Sequence, residues 1–408
     1  MSLLSGSVRD ACVEQTVDIA STVARRLGIT RCAETTWLDR VGIPVYSAVR
    51  PRAGIVCVTA GKGQLPLEAR VGALMEGIEQ AVAELAGMTT EVRWSTPEEV
   101  VAAGGPTVAS LCPRIDRPIA PNTRMAWVDS YDVAGRGPAL LPAELVFIPC
   151  PPELQSGHFT PSTTGLASGN SIREAALHGL CEVLERDTTT ICELVNDPSR
   201  LVTPASLPPD LAHLHERIEA AGLRVWLRYM PTVAGTPYFR CLIVDDEFPT
   251  PAFCHGGYGS HPVAKIAASR AITEAAQSRL TFIQGGRDDL TATVDAVNAM
   301  TPGTRRSHRQ SLITQYARAG DPIAFDDIPT VGLDEPDRLL ADLASACESS
   351  GLGKVLVHSF AEHLADPLVV VRVVVPYAEH WSPATRRVGP RLLAGVRANR
   401  IRAGGPGS

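Results

Sequence analysis

TGLASGNSIREAALHGLCEVLERD, residues Thr164–Asp187, is the stretch that decides the fold. A turn of small residues leads into a helix here, because Asn170 or Ser171 can accept hydrogen bonds from the first amides of the helix. One flank of this helix is apolar, which favours packing against a sheet. The other flank repeats with the helical period and is polar. Its members are Glu174, His178, Glu182 and Glu185. The stretch therefore predicts a packed helix with carboxylates along one side.

Two further apolar segments carry acids in the same helical spacing. Ordinary solvated faces are the alternative explanation, but most of the remaining positions are Ala, Leu, Ile, Val and Gly. If the helices pack together, their carboxylates repel one another and require cations. Magnesium bound together with phosphate is the ligand that such a group of carboxylates is expected to hold. The residues concerned are Glu76 and Glu79 in the first segment and Arg270, Glu274 and Gln277 in the second.

Composition indicates a globular protein and excludes several function classes. The chain has 408 residues, of which 45% are hydrophobic and 20% charged, so a sizeable core is expected. No run approaches the roughly 20 apolar residues of a membrane span, and the first residues lack the pattern of a signal peptide. The net charge of −6 without a basic stripe argues against nucleic acid. Ten scattered cysteines without a CxxC pair favour free thiols and a cytoplasmic location.

The order of patterns along the chain predicts fold class and domains. Strand-like and helix-like segments alternate, which indicates an α/β or α+β class with mixed sheets and packed helices. We expect one catalytic domain over residues 1–397, with possible subdivisions near 90–160 and 195–260. The Arg- and Gly-rich residues 398–408 are expected to form a disordered tail.

Several shorter segments carry their own expectations. The GKG sequence at 61–63 fails the GxxxxGK[ST] spacing of a Walker P-loop, so a nucleotide would be held differently. Glu144–Pro149 is expected to be a strand, and residues 284–310 are expected to be mobile. His261 precedes the third acidic helix, where it is either a general base or, as we favour, a solvent-facing cap or turn residue.

Taken together, these motifs resemble the YcaO family of ATP-dependent peptide-modifying enzymes. The resemblance spans about residues 8–390, with the motifs in the family's order. The matching segments are Gly72…Glu76…Glu79-Gln80, Gly165…Gly169-Asn170, Glu174, Glu182…Glu185-Arg186, Arg270…Glu274, Arg31–Pro51, Gly61-Lys62-Gly63 and Gln277-Ser-Arg279…Arg287-Asp288. Three positions depart from the family: Gly72 replaces Ser, Gln80 replaces Arg, and Ala167 stands where some members have Ser.

The resemblance implies that ATP and Mg²⁺ bind in a YcaO-like fold that has no P-loop. The implied metal ligands are Glu76, Glu79, Glu174, Glu182, Glu185 and Glu274. The implied nucleotide contacts are Arg9, Thr16, Ala167, Asn170, Glu174, Arg186, Arg270 and Glu274. The implied catalytic residues are Arg186, Arg270, Gln277 and Arg279.

The chemistry implied by the resemblance is activation of a peptide backbone amide by O-phosphorylation. A nucleophile adds to the amide, the resulting oxyanion attacks the γ-phosphate of ATP, and phosphate leaves. An internal Cys, Ser or Thr gives an azoline, sulfide gives a thioamide, and an amine gives a macroamidine. The chain ends in AGGPGS rather than a Pro-x-Pro-x-Pro tail and shows no fused leader-binding domain, which favours a stand-alone thioamide-forming or bottromycin-type member.

The implied partners are a ribosomally made precursor peptide and a TfuA-like protein, and a homodimer is the expected assembly. Two other functions compete with this one. Carboxylates and Mg²⁺ would also serve a small-molecule ATP-dependent ligase or kinase. A non-catalytic accessory factor for modification of a protein such as a ribosomal component is the second rival, although such a factor should have lost some of the acids.

Overall fold

The computed structural model describes residues 2–135, 137–248, 251–287, 290–318, 320–333 and 336–403. The chain divides into two compact units, and we describe each by itself. The first comprises Met1–Ile78, Ser199–Thr232 and Thr236–Asp334, and the second Glu79–Pro198, Val233–Gly235 and Glu335–Ser408. The acidic motifs predicted from the sequence are divided between them. Whether both act as the expected catalytic domain over 1–397 stays a prediction.

Strands and helices alternate along most of the described chain. The strands are β1 Ser2–Leu4, β2 Ser7–Arg9, β3 Arg31–Glu34, β4 Val45–Val49, β5 Val58–Lys62, β6 Arg93–Ser95, β7 Met125–Asp132, β8 Pro138–Pro142, β9 Leu166–Gly169, β10 Arg200–Leu201, β11 Arg224–Pro231, β12 Pro237–Val244, β13 Cys254–Ser260, β14 Leu356–Ser359 and β15 Val369–Val374. The helices are α1 Val13–Arg26, α2 Pro66–Ala86, α3 Pro97–Ala102, α4 Ala143–Val146, α5 Ile172–Leu194, α6 Pro209–Ala220, α7 Ala264–Gln284, α8 Thr291–Ala299, α9 Pro302–Ala317, α10 Leu339–Ser349 and α11 Pro390–Ala403.

The first unit contains three antiparallel sheets, ordered β1-β2, β3-β4-β5 and β10-β11-β12-β13. Helix α7 packs against β12 and β13, and its alanines allow close approach to the sheet. Gly257 of β13 makes this approach possible. A Cβ there would lie 2.2 Å from the carbonyl oxygen of Ala271 and 2.2 Å from the amide nitrogen of Ala275. The backbone of β13 therefore rests directly on the helix that carries Arg270 and Glu274.

Replacing Gly257 with alanine should destabilise this unit. The added methyl group meets backbone atoms that cannot move aside, and overpacking of a core costs about 1–3 kcal/mol, occasionally more. Urea denaturation should therefore show a lower free energy of unfolding, towards the upper end of that range. Gly303→Ala is the matched control, because a Cβ at Gly303, near the start of α9, meets only the Thr301 Oγ1 at 3.9 Å. Equal stability of both variants would contradict the close packing of β13 on α7.

The second unit is built on a six-stranded antiparallel sheet, ordered β6-β7-β14-β15-β9, with β8 paired to β7. Helix α5 packs on β9 and β15. Arg372 of β15 is buried and donates hydrogen bonds to the carbonyl oxygens of Val146, Ser162 and Thr164. Burial lowers the pKa of Arg372 to about 10. These hydrogen bonds stabilise the loop that leads into β9, where the Thr164–Asp187 stretch begins.

The structure confirms the expected α/β class with packed helices, and every strand pair among the described residues is antiparallel. The expectation for one segment was wrong. Glu144–Pro149 is not a strand, since most of it lies in or directly after the short helix α4. Within residues 284–310 the described part contains α8 and part of α9, whereas Asp288 and Asp289 lie outside the described residues. Helix α11 continues to Ala403, so residues 398–403 are helical, and 404–408 lie outside the described residues.

All ten cysteines are free thiols, as the scattered spacing predicted. In the described part of the chain, no helix combines the length and apolarity that crossing a membrane requires.

Candidate active site

In the first unit, the end of strand β5 gathers three of the predicted site residues. The amide nitrogen of Ala60 donates to the Glu76 Oε2 at 3.1 Å, and the Ala60 carbonyl oxygen accepts from the Gln277 Nε2 at 2.6 Å. Two residues further along, the Lys62 ammonium lies 2.5 Å from the Glu274 Oε2. Helices α2 and α7 thus present two acids and an amide side chain to the same strand.

Arg279, a predicted catalytic residue, lies instead in a buried ion-pair network. Its Nε is 3.0 Å from the Asp39 Oδ2, and its Nη2 is 3.0 Å from the Asp245 Oδ2. The side chain is 3% exposed and both partner carboxylates are buried. Such a doubly paired guanidinium holds elements of the unit together, which favours a structural role over the predicted catalytic one.

The predicted phosphate contacts of the first unit lie near its amino-terminal hairpin. The Arg9 Nε donates to the Ser7 Oγ at 2.9 Å. The Thr16 hydroxyl donates to the Cys12 carbonyl oxygen, four residues earlier, at 3.0 Å. A Cβ on Gly6 would lie 3.8 Å from the Cγ of Arg270, which places this arginine beside the hairpin.

His261 lies in the segment immediately ahead of α7 and is only 4% exposed, so the expected solvent-facing position was wrong. Its Nδ1 accepts a hydrogen bond from the amide nitrogen of Val263 at 3.0 Å, immediately ahead of α7. Burial, with smaller contributions from the positive charges of Arg270 and Arg9, lowers the pKa of His261 to about 3. A neutral imidazole that already uses Nδ1 as an acceptor is poorly suited to remove a proton.

Three buried histidines predict an acid-sensitive fold. Burial lowers the pKa of His255, His261 and His380 from 6.5 to about 3. Between these values the unfolded chain binds protons that the folded chain excludes, so stability falls as pH falls. We expect urea denaturation to give a free energy of unfolding lower at pH 5 than at pH 7, by about 1–2 kcal/mol per histidine.

The same experiment on variants separates this effect from general acid denaturation. His255 lies among the rings of Phe253 and Phe282, so His255→Phe keeps an aromatic ring and removes one titrating group. This variant should lose the part of the pH dependence that His255 contributes. His213→Asn, at an exposed position, should keep all of it. Identical stability of the wild-type protein at both pH values would contradict the assignment.

In the second unit, the predicted acids surround strand β9. The Glu79 Oε1 accepts from the amide nitrogen of Ser168 at 2.8 Å and from its hydroxyl at 2.7 Å. The Glu182 Oε2 accepts from the amide nitrogen of Gly165 at 3.2 Å. At the other end of the strand, the Asn170 Nδ2 donates to both oxygens of Glu174 at 3.1 and 3.2 Å. The small-residue turn therefore positions three of the predicted metal ligands.

Arg186 provides the positive charge on this acidic face of α5. Its guanidinium lies 3.9 Å from a Glu182 oxygen and 3.7 Å from a Glu185 oxygen. The Arg186 side chain is 33% exposed, whereas Glu185 is buried. Ala167, a predicted nucleotide contact, is fully buried and pairs with Val371 in the sheet.

The described residues contain no group of three or more His, Cys, Asp or Glu side chains placed to hold a metal ion together. The predicted ligands instead form small sets around β5 and β9. Magnesium is usually held by one or two carboxylates and completes its shell with water and phosphate oxygens. The donor set therefore fits Mg²⁺ brought with a nucleotide, and does not resemble an all-protein metal cage.

Two contributions to the site were not predicted from the sequence. Lys62 pairs with Glu274, and Ser168 positions Glu79. Lys62 belongs to the Gly61-Lys62-Gly63 segment that resembles the family, but the resemblance implied no role for it. Nothing local indicates Ser168, because its partner lies 89 residues earlier.

The fold and the two acid sets define an α/β protein whose carboxylates suit a Mg–nucleotide without a P-loop. Comparison with known proteins gives the family. Residues 60–379 match the family model described as YcaO cyclodehydratase, ATP- and Mg²⁺-binding. The chain belongs to this family, which confirms the resemblance and the ATP and Mg²⁺ cofactors.

Relatives in sequence support the membership. An uncharacterised protein of Methanothermobacter thermautotrophicus is 32% identical over 381 residues, covering 91% of this chain and 94% of its own. An uncharacterised protein in the tfuA 3′ region of Rhizobium leguminosarum bv. trifolii is 33% identical over 389 residues, covering 87% and 84%. The ribosomal protein S12 methylthiotransferase accessory factor YcaO of Escherichia coli is 28% identical over 119 residues, covering 29% of this chain and 20% of its own.

Solved structures share the fold. YcaO from Methanopyrus kandleri, bound with AMPPCP and Mg²⁺, is 25% identical with a TM-score of 0.72, covering 94% of this chain and 96% of its own. A heterocyclase in complex with substrate and cofactor is 18% identical with a TM-score of 0.76, covering 96% and 55%. At this lower identity the second match supports the fold alone.

Proposed function

We propose that the protein uses ATP and Mg²⁺ to activate a peptide backbone amide by O-phosphorylation. The observation that carries this proposal is the placement of the predicted acids around the ends of β5 and β9 in a YcaO-family chain. Glu76 and Glu274 flank β5, and Glu79 and Glu182 hydrogen-bond to backbone amides at β9. A degenerate accessory protein would have no reason to retain every one of these carboxylates.

Each set of residues has a chemical task in this proposal. Mg²⁺, when bound, would supply positive charge that offsets the negative charge developing during phosphoryl transfer. The carboxylates of Glu79 and Glu182 would hold that metal, while Arg186 on the same helix as Glu182 would bind phosphate oxygens. Glu174, whose carboxylate accepts a hydrogen bond from Asn170, would contact the nucleotide at the same turn. The amide oxygen then leaves as phosphate, a far better leaving group than hydroxide or oxide.

Sulfide is the nucleophile that we favour, which makes the product a thioamide and a TfuA-like protein the partner. The supporting observation is the Rhizobium relative, which is described as lying in a tfuA 3′ region and covers most of this chain. An internal Cys, Ser or Thr would give an azoline, and an amine would give a macroamidine. The mass-spectrometry experiment described below distinguishes these products from a thioamide.

A second candidate is an accessory role in modification of a protein. It is supported by the match to the Escherichia coli accessory factor, although that match covers only 29% of this chain. A small-molecule ligase or kinase would use the same acids and consume ATP without a peptide.

Mass spectrometry of a peptide encoded beside the gene separates these functions. The peptide is incubated with the protein, ATP, Mg²⁺ and sulfide, together with any TfuA-like protein encoded nearby. We expect an ATP-dependent mass gain equal to replacement of oxygen by sulfur. Loss of water would identify an azoline or a macroamidine instead. An unchanged peptide, or a change that does not need ATP, would contradict the proposal.

A further inference from the structure

Lys62 is a cation of the site that the sequence motifs did not assign. It is the last residue of β5, and its ammonium nitrogen lies 2.5 Å from the Glu274 Oε2. The two side chains are 22% and 16% exposed, so the pair is largely removed from water. The other two lysines also pair with acids, Lys265 with Asp210 and Lys354 with Asp132, but they are 55% and 62% exposed. Lys62 is therefore the least exposed of the three lysines.

The glycines on either side explain how the lysine reaches this position. A Cβ on Gly61 would lie 2.1 Å from the Ala69 carbonyl oxygen, and one on Gly63 would lie 2.5 Å from the Glu68 Cβ. These positions lie against α2 and leave no room for a side chain there. Side chains alternate along a strand, so Lys62 is directed to the opposite side and reaches α7.

The pair also has an electrostatic consequence for metal binding. Glu274 is one of the predicted metal ligands, and a divalent cation on its carboxylate would lie beside the ammonium group of Lys62. Two cations sharing a partly buried carboxylate repel strongly. Lysine is a compact charge on a flexible four-carbon stem, so it can leave this carboxylate for a nearby anion. Phosphate is an anion that lysine commonly binds as a point charge.

We propose that Lys62 is a phosphate-binding residue that neutralises Glu274 until the Mg–nucleotide arrives. Upon binding, Glu274 passes from the ammonium group to Mg²⁺, and Lys62 passes from Glu274 to a phosphate oxygen. The charges of Lys62 and Glu274 therefore each have a partner of opposite sign, both without and with the bound Mg–nucleotide. This inference rests on the proposed site, since it requires nucleotide at Glu274, but it does not depend on which peptide is modified.

Amine labelling tests the exchange directly, because the chain has only three lysines. The protein is pulsed with acetic anhydride, and labelling of each lysine is measured by mass spectrometry of peptides. Lys265 and Lys354 serve as internal references in every sample. In the ligand-free wild-type protein Lys62 should be labelled least. In Glu274→Gln it should be labelled severalfold more, and saturating AMPPCP with Mg²⁺ should protect it again.

Nucleotide affinity provides the second readout. Binding of AMPPCP with Mg²⁺, measured by calorimetry, should weaken about tenfold in Lys62→Met, since a single charge-assisted contact is lost. Lys62→Arg, which keeps the charge, should recover part of the loss. Lys265→Met is the matched control, because it removes an exposed lysine–acid pair on α7, and its affinity should equal that of the wild-type protein.

Two results would overturn the inference. Unchanged labelling of Lys62 in Glu274→Gln would mean that the pair does not protect the amine. Labelling that nucleotide fails to suppress, together with normal affinity of Lys62→Met, would mean that Lys62 does not bind phosphate. Failure of the proposed function looks different, since Lys62 would then behave as described while the peptide stays unmodified.

Discussion

Glu182→Gln is expected to reduce ATP-dependent peptide modification at least ~100-fold while leaving the fold intact. Changes in the residues that merely support a metal ligand already cost 10–100-fold, and Glu182 is proposed to be a ligand itself. Glutamine keeps an oxygen that can accept the hydrogen bond from the amide nitrogen of Gly165. The substitution therefore removes the charge and preserves the local structure.

The matched control for this variant is Glu193→Gln, which neutralises an exposed acid on the same helix. Its rate should equal that of the wild-type protein. Initial rates at several Mg²⁺ concentrations and thermal melting of all three proteins make the comparison complete. Full activity of Glu182→Gln at low Mg²⁺ would contradict the metal assignment, as would a loss of activity explained entirely by unfolding.

Asp187→Ala is expected to have the largest effect on stability. Asp187 follows Arg186 on α5 and is 1% exposed. It accepts a hydrogen bond from the amide nitrogen of Glu379 at 2.7 Å and pairs with the Arg391 Nη1 at 2.5 Å. Glu379 in turn accepts from the amides of Gly389 and Leu392 at the start of α11, at 2.6 and 2.8 Å. One buried carboxylate therefore links α5 to the carboxyl-terminal helix.

Removal of one partner from a buried ion pair typically costs about 3–5 kcal/mol, and we expect a loss of that size in urea denaturation. Burial raises the pKa of Asp187, so ionisation of this group is itself costly. Asp187→Asn should therefore lose less, because it removes that cost and keeps an acceptor for the amide of Glu379. Glu193→Ala is the surface control. Equal stabilities of Asp187→Ala and Glu193→Ala would show that the network is energetically unimportant.

The sequence predicts the acidic helices well because their signals are local. Helix α2 carries Glu76 and Glu79 in the predicted helical spacing, and Ser171 caps α5 by accepting from the amide of Glu174. Hydrophobic period and N-cap chemistry decide such elements within a few residues. The acids of the site lie on these helices and were therefore identified together with them.

Other elements depend on contacts that are distant in sequence. Glu144–Pro149 is a run of six mostly apolar residues. The hydrophobic period of such a short run cannot distinguish a strand from a helical turn. In the structure the Glu144 carboxylate accepts hydrogen bonds from Ser156, Gly157 and Phe159, which stabilises α4 instead. Helix α9 did have a local signal, since the Thr301 hydroxyl oxygen accepts from the amide of Thr304 and Pro302 follows the cap.

Pairing of charges across the chain is the part of the site that the sequence could not predict. Lys62 and Glu274 are 212 residues apart, and Arg279 and Asp39 are 240 apart. The same arginine looked catalytic beside Gln277 in the sequence, yet its ion pairs are internal. A family motif identifies which residues matter, but only the fold shows whether each charge is used for structure or is available to a ligand.

The central claim is that the amide oxygen of a peptide is transferred to phosphate. A peptide encoded beside the gene, labelled with ¹⁸O at its backbone carbonyls, tests this claim when it is incubated with the protein, ATP, Mg²⁺ and sulfide. Mass spectrometry of the inorganic phosphate should show one ¹⁸O atom for each amide modified. Modified peptide accompanied by phosphate without ¹⁸O would contradict amide O-phosphorylation.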